Sequence, residues 1–232
     1  QGYTDLNFLI PELVDLIAYK KGTYSAIDGD FSAAGSARLE YRKSFDGHLA
    51  EVTAGANGYK RLLLAGSPKR QDGQWLYGLE VFKNDGPWLV PENYQKLNGV
   101  LSYSDGTRLN GYSVTGMLYK SNWISTDQVP LRAINQGLIG RFGSLDPTTG
   151  GETHRYSVSS QLAQTGKDRQ TKANFWALDS ALDLWSNFEY CIGSIEKTGN
   201  CAAGDQFKQA EKRKAFGFGI SEARYHQLSL LN

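Results

Sequence analysis

From about residue 47 onward, the sequence is a series of strand candidates joined by connections that are alternately short and long. The short connections are 67–73, 104–106 and 165–168, and the long ones are 84–94, 121–153 and 191–206. A barrel that crosses a membrane sorts its connections in this way, because one rim carries tight turns and the other carries long loops. A soluble β-sandwich has no such reason. The pattern therefore predicts an antiparallel transmembrane β-barrel.

The strand candidates alternate apolar and polar residues, which places the two kinds of side chain on opposite faces. In 74–83, for example, Leu79 lies on one face and Glu80 on the other. We expect the polar faces, which include Glu80, Asp179 and Asp183, to point into the barrel and the apolar faces to point outward. The roughly eight candidates are 48–55, 59–66, 74–83, 96–104, 108–120, 155–164, 168–190 and 207–221.

Half-buried strands of a soluble sandwich alternate as well. Two further observations favour the barrel. Several candidates are longer than the usual strand of about 5–6 residues. Aromatic residues also gather near the strand ends, as the interface girdles of a membrane barrel require. These residues are Trp75, Tyr77, Tyr103, Tyr119, Trp123, Phe188 and Tyr190.

Composition and motifs exclude several function classes. The chain has 232 residues and a formal net charge of +1, so charge gives no case for nucleic-acid binding. The sequence contains no run of 18 apolar residues, which excludes a membrane-spanning helix. It has no nucleophile elbow, zinc-protease motif or phosphate loop, and its three histidines are scattered. We therefore expect neither an enzyme nor a bound cofactor or metal.

Two cysteines, Cys191 and Cys201, enclose nine residues rich in turn formers. This spacing favours a disulfide that closes the loop, which requires an oxidising compartment. The alternative is a pair of free thiols in a cytosolic protein. A zinc site does not fit, because no histidine or further cysteine lies nearby.

The first 46 residues differ from the strand series. Pro11 begins a short helical turn that runs into an apolar strand candidate, 13–19, which ends at Lys21 and a glycine. A small-residue turn, 25–29, and a glycine step at 35–37 follow. This order resembles the end of the plug domain in TonB-dependent outer-membrane receptors. Three positions depart from the family pattern, with Lys21 for Arg, Thr23 for Pro and Ser36 for the second Gly.

The resemblance covers about the first fifth of the chain, and plug followed by barrel is the family's order. It implies the C-terminal part of an α+β plug domain in 1–46 and the first strands of an outer-membrane β-barrel in 47–232. Because family barrels have about 22 strands, the chain resembles an internal fragment. The short turns would then lie in the periplasm, and the long loops, with Cys191 and Cys201, outside the cell.

The resemblance also implies a function, which is active import of a scarce ligand across the bacterial outer membrane. The partners would be TonB, through a segment missing from this chain, together with outer-membrane lipid and a small-molecule ligand. A ferric siderophore is the family default, and cobalamin, haem, other metals and glycans stay open. Two alternatives also remain, a passive porin-like or structural barrel and a soluble carbohydrate-binding sandwich.

The candidate site is the contact between plug and barrel. Polar residues of the last plug strand could form desolvated ion pairs with carboxylates of the barrel lumen, holding the plug while leaving it detachable. The alternative is a solvated polar strand face. The residues of this hypothesis are Lys21, Arg38, Glu40, Arg42, Glu80, Asp179 and Asp183.

Overall fold

The computed structural model describes residues 5–22, 32–68, 73–125, 128–188, 190 and 205–225. These residues form ten strands, one turn of 3-10 helix at Pro11–Leu13 and one short helix, α1, at Leu131–Asn135. The strands are β1 Val14–Lys21, β2 Gly35–Tyr41, β3 His48–Ala54, β4 Lys60–Gly66, β5 Gln74–Asn84, β6 Tyr94–Gly106, β7 Gly111–Ile124, β8 Gly150–Thr165, β9 Arg169–Ser186 and β10 Phe207–Arg224. None of the described helices has the length and apolar character needed to cross a membrane.

Strands β3 to β10 form one antiparallel sheet in which each strand pairs with its neighbours in sequence. Strands β1 and β2 form a separate antiparallel pair, from Val14 opposite Tyr41 to Lys21 opposite Gly35. Within the described residues, β3 and β10 are the free edges of the large sheet. The prediction of a mainly antiparallel β fold, with eight strands of a partial barrel, is confirmed. The helical part expected in the first 46 residues is limited to the 3-10 turn among those described.

The connections separate onto two rims, because consecutive antiparallel strands reverse direction. One rim carries 67–73, 107–110 and 166–168, and the other carries 55–59, 85–93, 125–149 and 187–206. The first connection on the long-loop rim is itself short. Asn57 and Gly58 both have positive φ there, as a tight hairpin turn requires.

The pairing register assigns each residue to a face of the sheet. The row Glu80, Asn98, Tyr119, Arg155 and Ser180 lies directly opposite across β5 to β9, so these residues share one face. We call this the inner face, because residues 5–13 pack against it. The other row, on the outer face, contains Leu79, Gly99, Leu118, Tyr156 and Asp179.

This register differs from the expected orientation of β9. Asp179 and Asp183 lie on the outer face, whereas Leu178 and Leu182 share the inner face with Ser180. Alternation within a strand shows only which residues lie together. The neighbouring strands decide which of the two sets points inward, and β9 takes its orientation from β8.

Candidate functional site: the N-terminal segment on the inner face

Two apolar side chains anchor the N-terminal segment, residues 5–13, to the inner face. Ile10 and Leu13 are fully buried and belong to a cluster with Leu63 and Leu76, and with Ala65 and Val100. Fully burying a side chain of this size stabilises a protein by about 1.5–3 kcal/mol. Gly78 makes the close approach possible, since a Cβ there would run into the side chains of Leu13 and Ile10.

Arg61 of β4 joins the segment to the sheet through its guanidinium group. Its two terminal nitrogens donate to the two carboxylate oxygens of Glu12, at 2.8 and 3.0 Å. Its Nε donates to Oε1 of Glu80 on β5, at 2.7 Å. The planar fork of arginine suits such a two-sided arrangement, because each carboxylate meets a separate edge. Arg61 is therefore shared between a carboxylate of the segment and a carboxylate of the sheet.

Glu80 is the buried centre of this network, with 2% of its surface exposed. Besides Arg61, it accepts the Nζ of Lys96 at 2.9 Å and the side-chain amide of Asn98 at 3.0 Å. A buried carboxylate is tolerated when cations and donors of this kind replace its hydration. Two cations and one amide satisfy Glu80 on three sides.

Asn98 extends the network to the backbone of the segment. Its amide nitrogen also donates to the carbonyl oxygen of Asn7, at 2.8 Å. A second hydrogen bond to the backbone of the segment comes from β2, where the hydroxyl of Tyr41 accepts a hydrogen bond from the N–H of Ile10 at 3.3 Å. The guanidinium of Arg155 lies 4.7 Å from the ring centre of Phe8. The segment is thus held by polar contacts around a small apolar core.

The electrostatics of the segment follow from these contacts. The hydrogen bonds from Arg61 hold the pKa of the Glu12 carboxyl below its usual range, against the opposing effect of partial burial. Burial raises the pKa of the Tyr41 hydroxyl, although its hydrogen bond with the Ile10 backbone acts in the other direction. Glu12 is therefore a carboxylate, and Tyr41 a neutral phenol, at neutral pH.

Of the predicted plug residues, Glu40 reaches the short-turn rim of the large sheet. Arg38 pairs with Glu40 at 3.0 Å, and Glu40 also accepts a guanidinium nitrogen of Arg108 at 3.2 Å. Arg108 belongs to the connection 107–110, so Glu40 does contact the large sheet. Arg42 lies over the ring of Phe45 at 5.8 Å, and Lys21 is the last residue of β1, opposite Gly35.

The predicted lumen carboxylates are not brought together. Glu80 lies in the network with Arg61, whereas Asp179 and Asp183 lie on the outer face. Asp179 is 3.6 Å from His154 and 3.5 Å from Lys214, and Asp183 is 3.1 Å from Lys208.

Cys191 and Cys201 lie outside the described residues, so their pairing stays a prediction. No group of three or more His, Cys, Asp or Glu residues in the described part of the chain is placed to hold a metal ion.

Four residues of the network were not predicted from the sequence, namely Glu12, Arg61, Lys96 and Asn98. Arg61 carried a usable signal, because it stands beside an apolar run, LLLAG, in β4. Asn98, beside Leu97 and Gly99 in β6, carried a weaker one. Glu12 gave none, since its partner is 49 residues away.

Comparison with known proteins shows the fold. No family model matches the sequence, and a search of curated proteins finds no match either. The structure is similar to that of the siderophore receptor PiuA from Acinetobacter baumannii, with a TM-score of 0.72 and 14% sequence identity. The match covers 94% of this chain and 33% of that receptor, so the chain spans about a third of the receptor's length. At this identity the likeness concerns the fold alone, which is that of a partial antiparallel β-barrel.

Proposed function

We propose that the full-length protein carrying this chain is a plugged outer-membrane barrel that imports a scarce ligand with energy transmitted by TonB. Residues 1–46 would end the plug and residues 47–232 would begin the barrel. The observation that carries the proposal is the sharing of Arg61 between Glu12 and Glu80. Such a contact allows the segment to leave the sheet without leaving a buried charge unpaired.

The network lowers the cost of releasing the segment. When the segment is withdrawn, Arg61 loses Glu12 but keeps Glu80, so its charge is not left without a counterion. Glu12 passes into water, where a carboxylate is well solvated. Separating a buried ion pair is the expensive step. Release of the segment avoids it, because the buried pairs of Glu80 with Arg61 and Lys96 stay together on the sheet.

The outer face supports a membrane location. Its apolar side chains stay exposed along successive strands, in keeping with the outward band of a membrane barrel. They include Leu79, Val81, Leu97, Leu101, Val114, Leu118, Tyr156, Val158 and Phe216. Towards the short-turn rim, the rings of Trp75, Tyr103 and Tyr112 follow one another at 4.9 and 5.8 Å. This row suits one of the two aromatic girdles of such a barrel.

In this proposal the short-turn rim lies in the periplasm and the long-loop rim faces the outside of the cell. The ligand would bind on the outer side, and TonB would pull on the plug from the periplasm. We infer a ferric siderophore as the ligand, since the structurally similar receptor is a siderophore receptor. A passive pore is the competing function, and it predicts uptake that follows the concentration gradient without TonB.

A disulfide between plug and barrel tests the proposal. The Leu13→Cys, Gly78→Cys double variant is suitable, because Cγ of Leu13 lies 3.6 Å from the position of a Cβ on Gly78. A strain lacking the native gene would carry the full-length variant, and uptake of labelled ferric siderophore would be measured under iron limitation. We expect uptake to stop when the disulfide forms and to return when a reductant opens it.

A control disulfide is placed between strands of the sheet, as Asp179→Cys with Lys214→Cys, which are directly opposite across β9 and β10. We expect this variant to import normally in both redox states. Full uptake through the oxidised Leu13→Cys, Gly78→Cys variant would contradict a moving plug. Unchanged uptake of the native protein in a strain lacking TonB would favour the passive pore.

A further inference from the structure

The outer face carries a groove that the proposed function leaves unused. It has a volume of about 780 Å³ and crosses the middle of the sheet from β6 to β10. Leu101, Val158 and Phe216 line it with exposed apolar surface. At Gly116, on its floor, an added Cβ would approach no atom more closely than 4.0 Å. The groove is therefore open and apolar.

A charged cluster lies at the end of the groove that points to the long-loop rim. Asp179 and Lys214 belong to the groove lining and pair with each other at 3.5 Å. Lys120 lies directly opposite His154 on the same face, and Lys212 lies one outward-facing position beyond Lys214. All three lysines are exposed. Nearer the rim, Glu152 and Asp183 lie opposite each other on the same face, and Asp183 pairs with Lys208 at 3.1 Å. Four lysines thus meet three carboxylates, which leaves this end of the groove with a small excess of positive charge at neutral pH.

We propose that this groove binds a membrane lipid with an anionic phosphate head group, drawn from the leaflet on the long-loop side. One acyl chain lies over Gly116 between Leu101 and Val158, and the phosphate meets Lys214 and Lys120. The inference rests on the proposed function, because it requires the outer face to be in a bilayer.

Charge and position select this occupant over others. An acyl chain alone gains little from the groove, since the surrounding lipid tails are equally apolar. The lysines supply the selectivity, because a cation at the membrane surface attracts anionic head groups. The apolar floor then fixes the place of the chain. A zwitterionic lipid with the same tails would fill the groove without the charge attraction.

Native mass spectrometry of the full-length protein, delipidated in detergent, measures this selectivity directly. The probes are dioleoyl phosphatidylglycerol and dioleoyl phosphatidylcholine, which share their tails. We expect one phosphatidylglycerol to bind at least tenfold more tightly than phosphatidylcholine. The Gly116→Trp variant fills the groove from its floor and should weaken phosphatidylglycerol binding about tenfold. Combined Lys120→Gln and Lys214→Gln should reduce the preference to less than twofold.

Val52→Trp is the matched control, because Val52 is exposed on the outer face of β3, away from the groove. It should bind phosphatidylglycerol as the native protein does. Native affinity in Gly116→Trp, with the thermal unfolding midpoint unchanged, would overturn the groove as the site. Equal binding of the two lipids to the native protein would overturn the head-group selection. Ligand uptake in the same variants separates the two proposals, since loss of lipid binding with normal uptake leaves the transport proposal intact.

Discussion

On β5, Glu80 is buried on the inner face with three polar partners, whereas its neighbours Leu79 and Val81 are 37% and 45% exposed on the outer face. A sheet folded in water would place these side chains the other way round. The two faces of one strand therefore meet different surroundings. The inner face must satisfy charge within the protein, while the outer face leaves apolar surface for another medium.

The largest effect is expected from Glu80→Leu, which removes the centre of the inner network. Arg61 would keep Glu12, but Lys96 would lose its buried counterion. Removing one partner of a buried ion pair costs about 3–5 kcal/mol. Urea unfolding of the full-length protein in lipid vesicles measures this loss.

Glu51→Leu is the control for that variant. Glu51 also approaches Arg61, at 3.6 Å, but its side chain is 45% exposed. We expect a change below about 1 kcal/mol, in line with solvent-screened pairs. Similar losses in the two variants would show that burial does not distinguish these carboxylates.

A charge on the outer face should have the next largest effect. Leu101→Arg places a cation in the middle of the apolar face, and a cation near the bilayer midplane costs a membrane barrel about 2–4 kcal/mol. Leu89→Arg is the comparison, because Leu89 is exposed in the connection 85–93 on the long-loop rim. We expect Leu89→Arg to fold into vesicles as the native protein does. Equal folding yields for the two variants would argue against an outer face in lipid.

Glu12→Gln tests the segment itself. The change weakens two hydrogen bonds from Arg61 while leaving Arg61 paired with Glu80. Bonds to charged groups contribute about 1.5–3 kcal/mol, and partial exposure of Glu12 reduces this to about 1 kcal/mol. Faster amide hydrogen exchange in residues 9–13, with unchanged exchange in β5 and β6, is the expected result. Uniform acceleration across the sheet would mean that the segment and the sheet open together.

Lowering the pH should also loosen the segment, because protonation of Glu12 weakens its contact with Arg61. The pKa of Glu12 is lower in the folded protein than in the unfolded chain, because Arg61 stabilises the carboxylate. Its contribution to stability is therefore complete above the unfolded pKa and is lost as the pH falls through the folded pKa. The exchange of residues 9–13, expressed relative to the intrinsic exchange rate at each pH, should rise over that range in the native protein. In Glu12→Gln the corresponding rise should be absent, and its persistence would assign the pH dependence to another group.

The smallest effect is expected on the outer face at the charged end of the groove. Lys214 pairs with Asp179, but its side chain is 86% exposed. Lys214→Gln should change the unfolding free energy by less than about 1 kcal/mol, because exposed pairs contribute little. A loss as large as that of Glu80→Leu would remove the contrast between the two faces.

The strands were largely predictable from sequence, and the site was not. The alternation of apolar and polar residues predicted β5 at 74–83, and the structure has it at Gln74–Asn84. This pattern is easy to detect because it continues along the whole length of a half-buried strand. The orientation of β9 was not predictable in this way, because Asp179 and Leu178 alternate equally well with either face inward. The pairing of Glu12 with Arg61 depends on tertiary packing across 49 residues, and no local pattern encodes it.

Strand β10 has a consequence for handling the isolated polypeptide. Within the described residues it pairs with β9 on one side, and no strand pairs with its other edge. Phe216, Phe218 and Ile220 are each at least 75% exposed beside that edge. An open edge with apolar side chains is a template for another strand. Outside a membrane we expect this polypeptide to recruit copies of itself edge to edge, so refolding should begin with lipid present and protein dilute.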